Sequence, residues 1–287
     1  MNFRAYWRLC KPGIVRMVML TAGFGWLFAH EGIPGLSSVP NLLLGLLGIG
    51  LGAAGSAVLN NVLEYQFDAK MHRTQNREIP SGKIEPAHAL GFGLVLTLAG
   101  VGLLLAVNLL TAFLVLLTAF LYVAVYTPLK RMTWLNTSIG AIPGALPIAC
   151  GWTAATGTMD FGAWIAFAIL YAWQHPHFYA IAWMYKEDYA RGGFKMLSVT
   201  DPSGTKLCLH SLLYAFFLLA VSIVPALLGP AGWIYAIGAF ALGMYMLLGT
   251  VKFTASRSVE DARGLLKASL IYLPGLLAVL AIDFAVF

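Results

Sequence analysis

Nine predominantly apolar runs divide this chain, each close to the roughly 20 residues that an α-helix needs to cross a bilayer. They cover about 14–30, 41–63, 87–107, 109–126, 137–155, 161–183, 208–228, 231–251 and 267–287. Lipid gives an open backbone no hydrogen-bond partners, so such runs must close their bonds internally as helices. Of the 287 residues, 60% are hydrophobic and only 10% charged, with a mean hydropathy of +0.79, which excludes a water-soluble domain. The expected fold is all-α: one domain over residues 1–287, a polytopic membrane protein with nine transmembrane helices bundled around a cavity.

Orientation follows from the basic residues, because Lys and Arg near span ends stay on the cytoplasmic side. Arg4, Arg8, Lys11 and Arg16 precede the first run; Lys70, Arg73, Arg77 and Lys83 follow the second; Lys130 and Arg131 follow the fourth. Lys186, Arg191, Lys195 and Lys206 follow the sixth, and Lys252, Arg257, Arg263 and Lys267 surround the connection from the eighth to the ninth. Together these are all 18 basic residues, and the opposite face keeps only Glu31, Asp160 and Asp283. The N-terminus is therefore expected in the cytoplasm and the C-terminus outside. The net charge of +6 reads as topology and attraction to anionic membrane lipid, with nothing further to suggest nucleic acid. Cys10, Cys150 and Cys208 have no metal-ligand spacing and read as reduced thiols. An N-terminal leader with a cleavable small-residue site is missing, as is the composition of an organelle transit peptide, which favours a bacterial inner membrane over a mitochondrial one.

Chemistry concentrates at the cytoplasmic ends of two spans. In NNVLEYQFDAKMHRTQNR, Asn60, Glu64 and Asp68 recur every four residues and form one stripe of hard oxygen donors down a helix. Mg²⁺ prefers such ligands and is commonly shared with substrate phosphates. Arg73 and Arg77, again four apart, suit bidentate contact with phosphate oxygens. The competing reading is a solvated helix end, against which stands Asn60, an amide placed before the charge zone.

A second polar end, YAWQHPHFYAIAWMYKEDYARGGFK, carries Glu187 and Asp188 at the inner face. Trp173, His175 and His177 lie deeper, with Pro176 expected to kink the helix. Without that kink, His177 and Asp188 fall nearly three turns apart on one face. His177 is a natural porphyrin-iron ligand, set against a plain interhelical hydrogen bond, which is the commoner reading for His175. Between these ends, YTPLKRMTWLNTSIGAIPGALP places Lys130 and Arg131 before Gly140, Pro143, Gly144 and Pro147, which suggests close helix packing or an irregular segment beside a cavity. An acidic end beside basic residues, opening into an apolar bundle, suits a substrate with a diphosphate head and a hydrocarbon tail. Its allylic carbocation needs a water-poor aromatic shelter, for which Tyr126 is placed.

The order N-N-x-x-E-x-x-x-D followed by R-T-Q-N-R resembles the first aspartate-rich motif of the UbiA-like intramembrane prenyltransferases. Within that superfamily the chain is similar to the haem-farnesylating branch. That likeness is carried by CKPGIV, NVLEYQFDAKMHRTQNR, YTPLKRMTWLNTSIGAIPGALP, WQHPHF, EDYARGGFKMLSVTD and ARGLLKASLIYL, in order along most of the sequence.

The resemblance implies a nine-helix bundle around an active-site cavity facing the cytoplasm. It implies Mg²⁺ on Asn60, Glu64 and Asp68, with Asp188 from the second acidic site. It places Arg73, Arg77, Lys130, Arg131 and Lys195 near diphosphate, and His177, Trp173 and His175 toward haem. Catalysis then falls to Asn60, Glu64, Asp68, Lys130 and Tyr126, with farnesyl diphosphate and haem b as substrates and haem O as product. It leaves open association with a haem-modifying enzyme or a second copy. Glu64 and Asn61 depart from the general pattern, which has Asp at both positions. The second motif is incomplete, with Phe178 where its first carboxylate belongs and only Glu187 and Asp188 retained. Two other readings stay in play: an intramembrane prenyltransferase for a quinone precursor, and a haem carrier or transporter without catalysis.

Overall fold

Proline and capping residues set where the helices begin. Pro12 and Pro86 open two of them at the first position, where a missing N–H costs nothing. Asn108 and Asp160 start two others, accepting from Thr111 N at 2.8 Å and Ala163 N at 3.3 Å. The computed structural model describes residues 3–30 and 35–286, so Glu31, expected on the outer face, lies outside the described residues.

Every regular element among the described residues is helical. The α-helices are, in order, α1 (Phe3–Leu9), α2 (Pro12–Phe28), α3 (Val39–Asp68), α4 (Pro86–Leu105), α5 (Leu109–Phe120), α6 (Thr127–Leu129), α7 (Asn136–Thr156), α8 (Phe161–Met184), α9 (Lys186–Arg191), α10 (Leu197–Thr200), α11 (Thr205–Leu228), α12 (Trp233–Ser256) and α13 (Val259–Val286), with a 3-10 turn at Leu36–Ser38 and a π-helical turn at Leu121–Tyr126.

Seven helices among the described residues are long and apolar enough to cross a membrane: α3, α4, the continuous 109–129 unit, α7, α11, α12 and α13. The two other expected spans fall on α2 and α8. α2 has 17 residues, about 25 Å at 1.5 Å each. α8 has 24, but Gln174, His175 and His177 dilute its apolar run. All nine expected runs fall on helices, and seven of those helices qualify as membrane spans by length and composition.

One local expectation is corrected. α8 runs through Pro176 to Met184, and the chain leaves the helix at Tyr185 (φ −115, ψ 25) before α9 begins. His177 and Asp188 thus sit on separate elements and share no face. Of the two alternatives for the stretch from Gly140 to Pro147, close packing holds: α7 is a continuous helix despite Pro143 and Pro147, and a Cβ on Gly144 would stand 1.9 Å from Gln174 Oε1 of α8, so the irregular backbone lies elsewhere. It is the π-helical turn Leu121–Tyr126 that joins α5 to α6.

Small residues let the helices approach closely. A Cβ on Gly100 of α4 would stand 2.6 Å from the Gly48 carbonyl oxygen of α3, and one on Gly151 of α7 would stand 1.7 Å from that of Ala22 of α2. Side chains larger than hydrogen at either site would force the pairs apart. α3 lies along α4, α2 along α7, and α8 against α11 and α13, while α7 and α8 join the two groups. The largest apolar cluster includes Trp173 and Tyr179 of α8 with Tyr235, Phe253 and Tyr272 of α12 and α13.

Contacts tie the basic connections into one end of the bundle. Lys195 N donates to Lys130 O at 2.8 Å, His72 N to Asp188 Oδ1 at 3.3 Å, and Arg257 Nη1 to Ser203 O at 2.6 Å. The described carboxylates of the other end serve as helix caps: Asp283 accepts from Gly232 N at 2.6 Å and Tyr235 N at 3.1 Å, and Asp160 opens α8.

Candidate active site at the basic end of the bundle

Helix α3 stays regular to Asp68, so Asn60, Glu64 and Asp68 keep their four-residue stripe and all three are buried. They line a cavity of about 150 Å³ together with Lys11, Arg73, Arg77, Tyr122, Tyr126, Lys130 and Tyr189. Met71, Phe194 and Met196 supply its apolar wall.

Each anionic or amide group is met by a cation. Lys130 Nζ donates to both Glu64 oxygens, at 2.9 and 3.1 Å, and Arg77 Nη1 to Asp68 Oδ2 at 2.7 Å. Lys11 Nζ donates to Asn60 Oδ1 at 3.0 Å. The Asn60 amide nitrogen in turn donates to Glu64 Oε2 at 3.0 Å and Thr127 Oγ1 at 2.9 Å, and that hydroxyl donates to Tyr122 O at 2.8 Å. The last bond draws on a carbonyl five residues back, within the π-helical turn that also carries Tyr122 and Tyr126 on the cavity wall. Lys130 Nζ stands 4.6 Å from the Tyr126 ring centroid.

Four basic side chains surround two carboxylates, so positive charge is in excess even where Lys11 is neutral, and an incoming polyanion neutralises it. Burial, with the neighbouring charges of Arg77 and Lys130, pushes Lys11 down to about 7.

The loop after α3 closes the cavity from the basic end. Arg73 lies over the rings of Tyr185 and Tyr189, at 5.1 and 5.6 Å, and Met71 packs with Ala182, Phe194 and Met196. Asp188 anchors that loop: it accepts from His72 N and pairs with Arg191. Burial opposes its charge, but the Arg191 guanidinium and the N–H groups of His72 and Arg73 hold its carboxyl below the usual carboxylate range.

The other expected residues stand apart from the cavity lining. The Arg131 guanidinium lies 4.1 Å from the Phe67 ring centroid, and the side chains of Lys195 and Glu187 are exposed. His175 is fully buried, with Nδ1 2.9 Å from Tyr171 O, Nε2 3.1 Å from Ser138 Oγ and the Tyr214 ring stacked on it. His177 is half-buried beside α13, with Nδ1 2.7 Å from Ser269 Oγ and its ring stacked on Trp173, whose N–H donates to Ser269 O at 2.8 Å. Sequence reasoning missed Lys11, taken only as a topogenic charge. It also missed Tyr122, whose four-residue spacing from Tyr126 was readable.

Among the described residues, no three His, Cys, Asp or Glu side chains come together to cage a metal. Two carboxylates and an amide are nevertheless hard oxygen donors. Their small number fits Mg²⁺, which completes its octahedron with water and substrate phosphate.

The profile of the UbiA prenyltransferase family matches residues 18–271. A protein named protoheme IX farnesyltransferase from Solibacter usitatus is 43% identical, covering 98% of both chains, and one from Salinibacter ruber is 45% identical over 97% of this chain and 98% of its own. A solved structure of digeranylgeranylglyceryl phosphate synthase superposes with a TM-score of 0.81 at 16% identity, covering 99% of each chain. A UbiA homologue from Archaeoglobus fulgidus bound to GPP and Mg²⁺ gives 0.66 at 16% identity, over 96% of this chain and 99% of that one. The profile match and the near-full-length relatives make this chain a member of the UbiA prenyltransferase family.

Proposed function

We propose that this protein transfers the farnesyl group of farnesyl diphosphate to a vinyl group of haem b, with addition of water, releasing diphosphate and haem O for terminal oxidases. The observation that carries this reading is the buried Asn60, Glu64 and Asp68 stripe facing Lys11, Arg73, Arg77 and Lys130 in one cavity at the end of an apolar bundle. Near-full-length similarity to proteins named protoheme IX farnesyltransferase supports haem b as the acceptor.

Asn60, Glu64 and Asp68, the hard oxygen donors of the cavity, are the residues to hold Mg²⁺; a homologue of the same fold was solved with GPP and Mg²⁺. When bound, the ion supplies Lewis-acid neutralisation of the leaving diphosphate. Lys130 and Arg77, paired with Glu64 and Asp68, turn to the diphosphate oxygens on binding, with Lys11 and Arg73 beside them. Breaking the allylic C–O bond sends both electrons to diphosphate. The vinyl π-electrons then form the new C–C bond, and water adds to the resulting porphyrin-side cation, releasing a proton to diphosphate or bulk water. Tyr122 and Tyr126 shield the farnesyl cation from early water. Arg131 and Lys195 adjoin the cavity-lining Lys130 and Phe194 in sequence and are assigned to the diphosphate end. His177, stacked on Trp173 at the α8–α13 junction, is the candidate haem contact, with His175 behind it.

Asp188 belongs to the same end, as does Glu187, and Asp188 reaches the metal only by releasing His72 and Arg191. The one-sided distribution of basic residues supports a cytoplasmic cavity in a bacterial inner membrane. The test is an acceptor panel: purified protein with farnesyl diphosphate and Mg²⁺, offered haem b, a chlorin or a quinone precursor. Haem O from haem b alone is expected. A prenylated quinone precursor in its place sinks the acceptor assignment, and haem bound or moved without diphosphate release sinks catalysis.

A further inference from the structure

Helix α1 is two-sided, and only one side has a partner. Ala5 and Leu9 are buried among Val58, Ile79, Ile84 and Ala89, the Tyr6 ring meets Phe92 edge-on at 5.0 Å, and Asn61 Nδ2 donates to Leu9 O at 3.1 Å. The other side shows Phe3, 76% exposed, and Trp7, 57% exposed, one turn apart. Arg4 and Arg8 are also exposed and one turn apart, interleaved with those rings. One turn into α2, Arg16 is exposed near Ile14, itself 56% exposed. None of the three arginines has an ion pair among the described residues. No carboxylate occurs in residues 3–30.

Water disfavours an exposed Phe and Trp pair, and hydrocarbon disfavours guanidinium groups. Only the membrane interface accommodates both on one face. We infer that the outer face of α1, together with Arg16, is a docking surface for acidic phospholipid headgroups, with the aromatic rings at the glycerol level and the arginines on phosphate. Guanidinium matches phosphate oxygens bidentately, and three cations without a local counter-charge select an anionic headgroup over a zwitterionic one. The seat has a route inward. The corner between α1 and α2 is Lys11, a non-glycine residue at φ 51 and ψ 60. Its side chain reaches Asn60 in the cavity. The depth at which α1 rests on lipid therefore sets the approach of Lys11 to the site.

Binding is tested apart from the reaction, on the full chain in nanodiscs of equal parts phosphatidylcholine and phosphatidylglycerol. Brominated acyl chains are placed on one lipid or the other, and Trp7 quenching is read as the difference between wild type and Trp7→Phe. Stronger quenching by brominated phosphatidylglycerol is expected. Arg4→Gln with Arg8→Gln lowers that preference by about fivefold for each guanidinium removed, from about 1 kcal/mol per basic residue at an anionic surface. Arg4→Lys with Arg8→Lys retains most of it, and so does Arg263→Gln with Lys267→Gln, which removes equal charge from the other half of the molecule. Equal quenching by both lipids, no quenching by either, or an unchanged preference in the double glutamine variant overturns the inference.

Discussion

Removing the Glu64 charge separates what the Glu64–Lys130 pair does for stability from what the carboxylate does for turnover. Lys130 Nζ touches both carboxylate oxygens at 2.9 and 3.1 Å, with side chains only 14% and 7% exposed. Glu64→Gln preserves the shape but leaves a desolvated ammonium, and losing one member of a buried pair costs about 3–5 kcal/mol. The Tyr126 ring, 4.6 Å from Nζ, still attracts the cation, so a loss near the low end, about 3 kcal/mol, is expected. Lys130→Met alone strands Glu64 similarly. Combining Glu64→Gln with Lys130→Met removes both charges, so most stability returns, with a coupling of about 2–3 kcal/mol between the two sites. Denaturant-induced unfolding in detergent micelles measures the cycle, and diphosphate release measures turnover. Turnover does not return in the double variant, because a missing electrostatic contact to the transition state lowers kcat by roughly 10²–10³. Additive stability losses would refute the buried pair, and wild-type turnover in the double variant would refute the role of Glu64.

Asp68→Ala abolishes turnover while leaving the bundle folded, since its partner Arg77 is 29% exposed and regains water; retained diphosphate release removes Asp68 from the metal set. Tyr126→Leu opens the cation's shelter to water, so the ratio of farnesol to haem O rises; an unchanged ratio argues that the ring only packs. Asp188→Ala frees the loop after α3, and hydrogen exchange at the His72 amide accelerates by about ten-fold or more, given about 1.5–3 kcal/mol for a hydrogen bond to a charged group. The same bond predicts a pH dependence. The Asp188 pKa is lowered by folding, so its contribution is complete above the ordinary carboxylate value near pH 4 and is lost as pH falls through the lower folded value. Amide protection at His72 that is indifferent to acid contradicts this. His177→Ala weakens haem binding, and an identical haem titration removes it as a ligand.

Helix placement was legible because bilayer thickness ties apolar length to position, and the stripe of Asn60, Glu64 and Asp68 because α3 stays regular past the membrane. Its continuation past the apolar run was carried by hydrogen bonds and partners from other elements, which hydropathy does not register. Lys11 was hidden for a different reason. As one more basic residue before a span it looked topogenic, and only the left-handed corner at Lys11 turns its side chain toward Asn60. The π-helical turn was equally unreadable, since Leu121–Tyr126 has no proline or glycine to mark it. Conversely, Pro143, Pro147 and Pro176 each sit inside a helix that continues through them. The His177 and Asp188 relation failed because helical periodicity was carried across Tyr185, where the helix ends.

The most direct measurement is an experimental structure of this protein with Mg²⁺ and a non-hydrolysable farnesyl diphosphate analogue. The diphosphate is expected in the cavity among Lys11, Arg73, Arg77 and Lys130, with the metal on Glu64 and Asp68 and with Lys130 released from Glu64. A diphosphate bound elsewhere, with Lys130–Glu64 and Arg77–Asp68 still closed, would contradict the assignment of this cavity as the active site.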